Sequence, residues 1–185
     1  MKENTPYWGT IDGWHQPGIY DLYAKMISKF DNAVFVEHGT WVGRSAICMA
    51  ERIKASGKKI EFYAIDFFED CYLTLDGKKV GEQYFENIEP FKDIINTIVG
   101  STHEVYTQFE DESIDFLFMD ADHEYEALKK DIGLWYPKIK KGGIISGHDY
   151  DPDQWDGVCI AVDEIFPDAE ITMASGGNIW LKHKL

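Results

Sequence analysis

Apolar runs that finish on charged or polar residues dominate this chain. "AVFVE" closes on Glu37, "KIEFYAID" on Asp66, "SIDFLFMD" on Asp120, and "GGIISGHD" on His148 and Asp149. Such short, nearly continuous apolar runs predict strands covered on both faces. Helical spacing fills the intervals. Ile19, Leu22, Tyr23, Met26, Ile27 and Phe30 share one helix face ahead of the first strand, and Ala46, Met49, Ala50 and Ile53 share another after it. "GEQYFENIEPF" reads as a helix interrupted at Pro90, "IINTIVG" as a strand, and "EYEALKKDIGLWYPKIK" as a helix turning Leu128, Ile132, Trp135 and Ile139 inward. A glycine pair opens the strand "GGIISGHD". "GVCIAVDEIF" is a short helix, and "AEITMAS" and "IWLKHKL" are two strands joined by a glycine turn. Strand alternating with helix predicts a doubly wound α/β sheet, mostly parallel, with the last hairpin adding an antiparallel strand. Ligands of such sheets bind beyond the carboxyl ends of the strands. Glu37, Asp66, Asp120, His148 and Asp149 are therefore expected around one pocket.

One domain over residues 1–185 accounts for the length, with residues 1–30 expected to cover the pocket. The net charge of −15 repels phosphates and anionic lipid, so a nucleic-acid or membrane partner is not expected. No apolar stretch approaches the ~20 residues of a membrane helix. "MKENTPYWGT" lacks a signal region, and three scattered cysteines, Cys48, Cys71 and Cys159, suit a reducing cytoplasm. Trp135 and Trp180 lie in apolar periodic segments and are expected in the core. Trp8 and Trp14 fit two roles equally, covering a pocket or packing the N-terminal segment. His15 and His103 show no partner and read as surface or loop residues.

"VEHGTWVGRS" carries the first strand into a helix. Gly39 can turn the chain sharply, and Gly43 can admit a ligand or the next helix. The loop lacks the Gly-Lys-Ser/Thr ending of a phosphate-binding loop and the third glycine of a dinucleotide loop. Asp66 stands where an acid can accept both hydroxyls of a ribose.

These residues together resemble the class I S-adenosylmethionine-dependent methyltransferases. The likeness is to the small-molecule O-methyltransferase branch that includes the catechol and macrolide-sugar enzymes and a cephalosporin-biosynthesis relative. "VEHGTWVGRS" is similar to that family's E-x-G-x-x-x-G-x-S loop. "YAID" is similar to its ribose-binding strand, and "IDFLFMDADHEYEALKKDIGLWYPKIKKGGIISGHDY" to its fourth and fifth strands with the helix between. The resemblance implies a seven-stranded Rossmann-like sheet in order 3-2-1-4-5-7-6 with strand 7 antiparallel. It implies Glu37, Gly39 and Ser45 around the methionine end of S-adenosylmethionine, with Gly43 and Asp120 also in the cofactor site. Asp66 is implied at the ribose, and Phe67 and Ser101 at the adenine. It also implies that Asp120, His148 and Asp149 hold a divalent metal, Mg²⁺ or Mn²⁺, with His123 as general base. Asp122 is read as a cap for the following helix. His38, His148 and Tyr150 depart from the family pattern. The expected acceptor is a small hydroxylated molecule such as a sugar or catechol, and a homodimer is compatible with the sequence. Two other readings stay open at this point: a non-catalytic relative that binds cofactor or metal, and a nicotinamide-dependent oxidoreductase.

Overall fold

A computed structural model describes residues 6–13, 17–68, 73–74, 77–173 and 178–185. Seven strands form one sheet in the order β3-β2-β1-β4-β5-β7-β6. They are β1 (Asn32–His38), β2 (Lys59–Asp66), β3 (Ile95–Val99), β4 (Ile114–Met119), β5 (Ile139–Gly147), β6 (Glu170–Thr172) and β7 (Ile179–His183). Strands β1 to β5 pair in parallel, and β7 runs antiparallel to both β5 and β6. The expected strand order and the antiparallel seventh strand are both present.

The period-2 alternation of strand side chains divides the core in two. Phe35, Phe62, Phe116 and Phe118 face one side, under α1 (Pro17–Lys29), α2 (Arg44–Ser56) and α3 (Val80–Ile88). Val36, Ile65, Leu117 and Met119 face the other, under α5 (Tyr125–Trp135) and α6 (Asp156–Ile165), with the single turn α4 (Thr102–Val105) at its edge. Aromatic edges fix the first side: Tyr23 meets Phe118 edge-on at 5.3 Å, and Phe35 meets Phe116 at 5.3 Å. Trp135 and Trp180 are fully buried, as expected.

One boundary differs. The helix expected through residue 140 ends at Trp135; a 3-10 turn follows at Tyr136–Lys138, and β5 already begins at Ile139, ahead of the glycine pair. Pro137 withholds the N–H that a continuing helix needs. Ile139 is inward-facing as the strand's first residue, which a helical period mimics. The strands expected at residues 169–175 and 179–185 are shorter, and their glycine turn lies outside the described residues.

The N-terminal segment straps α2. Tyr7 N donates to Glu51 Oε1 at 3.0 Å, Trp8 packs on Tyr20 at 4.2 Å, and Arg44 Nη1 donates to Gly13 O at 2.9 Å. Trp8 thus takes the packing role; Trp14, His15 and Cys71 fall outside the described residues.

Candidate active site

Three strand ends are tied together before any side chain enters. Gly39 N donates to Ile65 O, and Asp120 N to His38 O, both at 2.9 Å. Gly39 has φ +74°, and a Cβ there would sit 2.0 Å from Asp120 O. Only glycine permits β1 to leave the sheet this close to β4. Gly43, at φ +90°, lets α2 begin against Tyr84 and Ile88.

Asp66 is built into the loop. Its Oδ2 accepts from Thr40 N at 2.7 Å and Trp41 N at 3.0 Å, and its Oδ1 from Phe68 N at 2.8 Å. Beneath the loop, Ser45 Oγ donates to Glu37 Oε1 at 2.5 Å, while Glu37 Oε2 has no hydrogen-bond partner. Burial pushes the Glu37 carboxyl up to about 8, against the opposing pull of the Ser45 hydrogen bond.

Beyond β4 and β5 lies the second group. His123 Nε2 is 2.8 Å from Asp149 Oδ2 and 3.8 Å from Asp120 Oδ1. His148 Nδ1 is 3.0 Å from Asp149 Oδ1 and 3.8 Å from Asp120 Oδ1. Burial raises the Asp120 pKa. Burial acts the same way on Asp149, but the two imidazoles overcome it and hold that carboxyl well below the usual range. Burial disfavours the His123 cation, but contacts with Asp120 and Asp149 outweigh it and raise its pKa to about 10. Asp149 adopts φ +57°, unusual for a non-glycine residue. Trp155 stacks on the His123 ring at 4.4 Å and 28°. Gly157 allows that approach: a Cβ there would lie 2.7 Å from His123 O.

Ligand atoms of Asp120, His123 and Asp149 all lie within 4.8 Å of one another. The two carboxylates of this group suit a hard divalent ion of the Mg²⁺ or Mn²⁺ type, whereas an imidazole ligand suits a softer transition ion. The trio carries His123 where the sequence pattern pointed to His148; His148 is 4% exposed and sits behind Asp149. Asp122 does not cap α5, whose N-cap is Glu124 without a side-chain bond; its Oδ1 instead accepts from Glu124 N at 2.9 Å, turning the chain into the helix. Tyr150 donates to Asp163 at 2.8 Å.

A third group escapes the sequence pattern. Thr102 Oγ1 donates to Asp131 Oδ2 at 2.8 Å, and Trp135 Nε1 donates to Thr102 O at 3.0 Å. His103 Nε2 lies 3.5 Å from Asp131 Oδ1, so the loop assignment of His103 is corrected to a partly buried partner of α5. A signal for it does exist: Asp131 occupies the buried stripe between Leu128, Ile132 and Trp135. His38 is also buried, edge-on to Trp135 at 4.3 Å, with neither ring nitrogen bonded.

All three groups open on one cleft of about 1070 Å³. Gly39, Ser45, Asp66, Phe67, Ser101, Asp120, His123, His148 and Asp149 line it; Glu37 and Gly43 stand behind it. Phe67 is 59% exposed there and presents an apolar face. Ligand pockets commonly measure ~300–1,000 Å³, so the cleft can take a nucleoside and a small second molecule together.

Comparison with known proteins agrees with this architecture. A family model described as "Methyltransferase domain" matches residues 36–150, and the chain belongs to that family. The resemblance to the class I methyltransferases is thereby borne out. Among solved structures, the chain superposes on the O-methyltransferase NovP with a TM-score of 0.70 at 20% identity, covering 91% of this chain and 79% of that one. An O-methyltransferase from Bacillus cereus in complex with SAH gives 0.65 at 18% identity, covering 92% and 82%. A SAM-dependent O-methyltransferase from Thermotoga maritima gives 0.69 at 13% identity, covering 97% and 71%. At these identities the likeness is one of fold. An uncharacterized protein of Sinorhizobium fredii, y4gI, is 25% identical over 137 residues, 74% of this chain; the aligned part spans 15% of the relative's length. A mimivirus relative is 40% identical over 58 residues, 31% of this chain and 26% of its own. Among the described residues no helix is long and apolar enough to cross a membrane.

Proposed function

We propose that this chain transfers a methyl group from S-adenosylmethionine to a hydroxyl of a small molecule, with a divalent metal assisting. The observation that carries the reading is the juxtaposition, in one cleft, of the Asp66-braced glycine loop with the Asp120–His123–Asp149 cluster. The three similar structures named above are each titled an O-methyltransferase, which supports the same acceptor chemistry.

On this reading Ser45, backed by Glu37, faces the methionine end of the donor, Asp66 the ribose, and Phe67 and Ser101 the base. Asp66 Oδ1, which among the described residues takes only the Phe68 amide, keeps one acceptor site for a ribose hydroxyl, and Phe67 offers a flat apolar face. When bound, the donor supplies a methyl group on a positively charged sulfur. Asp120 and Asp149 hold the metal, which when bound supplies positive charge that acidifies the acceptor hydroxyl. His148, packed behind, steadies Asp149. Without a competing cation the two carboxylates keep His123 protonated. With their charge engaged elsewhere, the His123 imidazole can take the acceptor's proton and act as the general base. Trp155 and Tyr20 wall the remaining space against an apolar ring face. Seven aspartates and one arginine line the cleft among the described residues, a charge balance that disfavours polyanionic acceptors such as nucleic acid.

The test is a screen of sugars, catechols and phenols with labelled donor, using protein purified in chelator and assayed with and without Mg²⁺ or Mn²⁺. Metal-dependent labelling of a small hydroxylated acceptor is expected. Saturable methylation of nucleic acid with none of small alcohols or phenols would overturn the acceptor class. Binding of NAD but not of S-adenosylmethionine would overturn the reaction.

A further inference from the structure

Asp131 has no task in the chemistry proposed so far, yet it is among the least comfortable groups in the protein. It is 3% exposed, on the inward stripe of α5. Its Oδ2 is satisfied by Thr102 Oγ1. Its Oδ1 has no hydrogen-bond partner; His103 Nε2 stands 3.5 Å from it and 3.4 Å from Ala127 O. A buried acceptor left unmet costs ~1–3 kcal/mol. Asp131, Thr102 and His103 all line the cleft.

Position decides what could meet that oxygen. The cleft follows the strand order β3-β2-β1-β4. A nucleoside with its ribose at Asp66, on β2, and its sulfur arm toward Ser45 and Asp120 must send its base the other way. That direction ends at the β3–α4 turn and the face of α5 that carries Asp131. The base then arrives edge-on to a buried carboxylate oxygen that needs a donor. Adenine offers one there, its exocyclic amino group; a 6-oxo purine offers an acceptor instead.

We infer that Asp131 Oδ1 accepts from the 6-amino group of the donor's purine, and that the Thr102 hydroxyl and the Trp135–Thr102 bond hold the carboxylate in register for it. Asp131 is thus a specificity-determining residue for adenine over other purines. The inference rests on the donor reading proposed above and adds to it a named atom on the protein. Phe67 gives the base a surface, but a stacked ring face accepts any purine alike; only the polar edge can discriminate.

The experiment is calorimetry with three ligands: S-adenosyl-L-homocysteine, its 6-oxo analogue S-inosyl-L-homocysteine, and the purine riboside analogue that lacks any 6-substituent. Wild-type protein should prefer the adenosyl ligand over the inosyl one by at least ~10-fold, with the unsubstituted analogue between them. In Asp131→Asn the amide oxygen can keep the Thr102 bond while the amide N–H₂ faces the base. That change should shrink the preference below threefold or invert it, with the thermal midpoint recording that the fold survives. If the variant does not fold, the wild-type ranking alone decides. Binding of all three ligands by wild type within threefold would overturn the inference while leaving the donor reading intact. So would an unchanged ratio in a folded Asp131→Asn protein. Failure of wild type to bind the adenosyl ligand would instead overturn the donor reading, and the inference with it.

Discussion

Two glycines with nearly the same backbone angle separate conformational strain from steric contact. Gly57 ends α2 at φ +65°, and a Cβ there meets nothing within 4 Å. Gly39 has φ +74°, and its Cβ would lie 2.0 Å from Asp120 O, 2.5 Å from Asp120 C and 2.7 Å from Ala121 Cα. Alanine at either position incurs ~1–2 kcal/mol for left-handed backbone, partly offset by ~0.4–1 kcal/mol from a less flexible unfolded chain. Gly57→Ala should therefore lose ~1 kcal/mol or less. At Gly39 the added carbon overlaps backbone, which cannot rotate away, so β1 and β4 must separate. Overpacking of that kind adds ~1–3 kcal/mol, giving ~2–4 kcal/mol in all. For a chain of this size each kcal/mol moves the melting temperature by ~2–4 °C. We expect Gly57→Ala to fall by no more than ~4 °C and Gly39→Ala by ~5–15 °C. Donor binding should be lost in Gly39→Ala even at temperatures where it is folded, because Asp120 moves with the strand end. Paired thermal melts and calorimetry with S-adenosylmethionine check this. Equal melting shifts in the two variants would refute the contact argument.

Other consequences are more local. Trp155→Ala removes the ring stacked on His123; a stacked pair is worth ~0.5–1.5 kcal/mol, so the acceptor KM should rise ~2–10-fold with little change in melting temperature. Asp120→Asn should abolish the effect of added Mg²⁺ or Mn²⁺ on turnover, measured after chelator treatment, because it removes one of the two carboxylates in the trio. The aspartate-rich cleft should favour the sulfonium donor over its neutral thioether product, and titrations in rising salt should narrow that difference.

Strand ends were legible because an acid that directly follows a buried apolar run marks the point where a strand leaves the core. The pocket at the carboxyl edge follows from the alternation of strand and helix, because ligands of parallel sheets bind beyond the strands' carboxyl ends. Contacts between loops were not legible. His103 finds Asp131 only because the β3–α4 turn packs against α5, and nothing in the spacing of either segment encodes that meeting. The switch of helix to strand near residue 139 was obscured because Ile139 satisfies both periods, so Pro137 was the better guide. His123 and His148 meet different oxygens of Asp149, Oδ2 and Oδ1, a division that no spacing in the sequence encodes. Sequence patterns report burial and element type well; they report side-chain convergence only where one element carries all the partners.

The two buried titratable groups at the end of β1 make opposite demands on pH. His38 is held neutral by burial, with its pKa lowered to about 3 from an ordinary 6.5. Its contribution is fully present above 6.5 and is lost as pH falls toward 3, because the unfolded chain then binds a proton that the folded chain refuses. Glu37 is held protonated by burial, with its pKa raised to about 8 from 4.5. Its contribution is fully present below 4.5 and is lost as pH rises toward 8. Each spans at most ~4–5 kcal/mol, at ~1.4 kcal/mol per pH unit. Between 4.5 and 6.5 the two slopes oppose and nearly cancel. Of these two groups, only Glu37 still loses stability above 6.5, and only His38 does so below 4.5. His38→Phe keeps an aromatic ring beside Trp135 but removes the titration. Measured by urea unfolding from pH 4 to 8, its stability relative to wild type should fall steadily as pH rises to 6.5 and then run parallel to it. Glu37→Gln should do the reverse, its stability relative to wild type rising steadily from pH 4.5 to 8. Parallel profiles for wild type and His38→Phe would show that the folded chain takes up the same proton as the unfolded one, and that His38 does not sit neutral in the core.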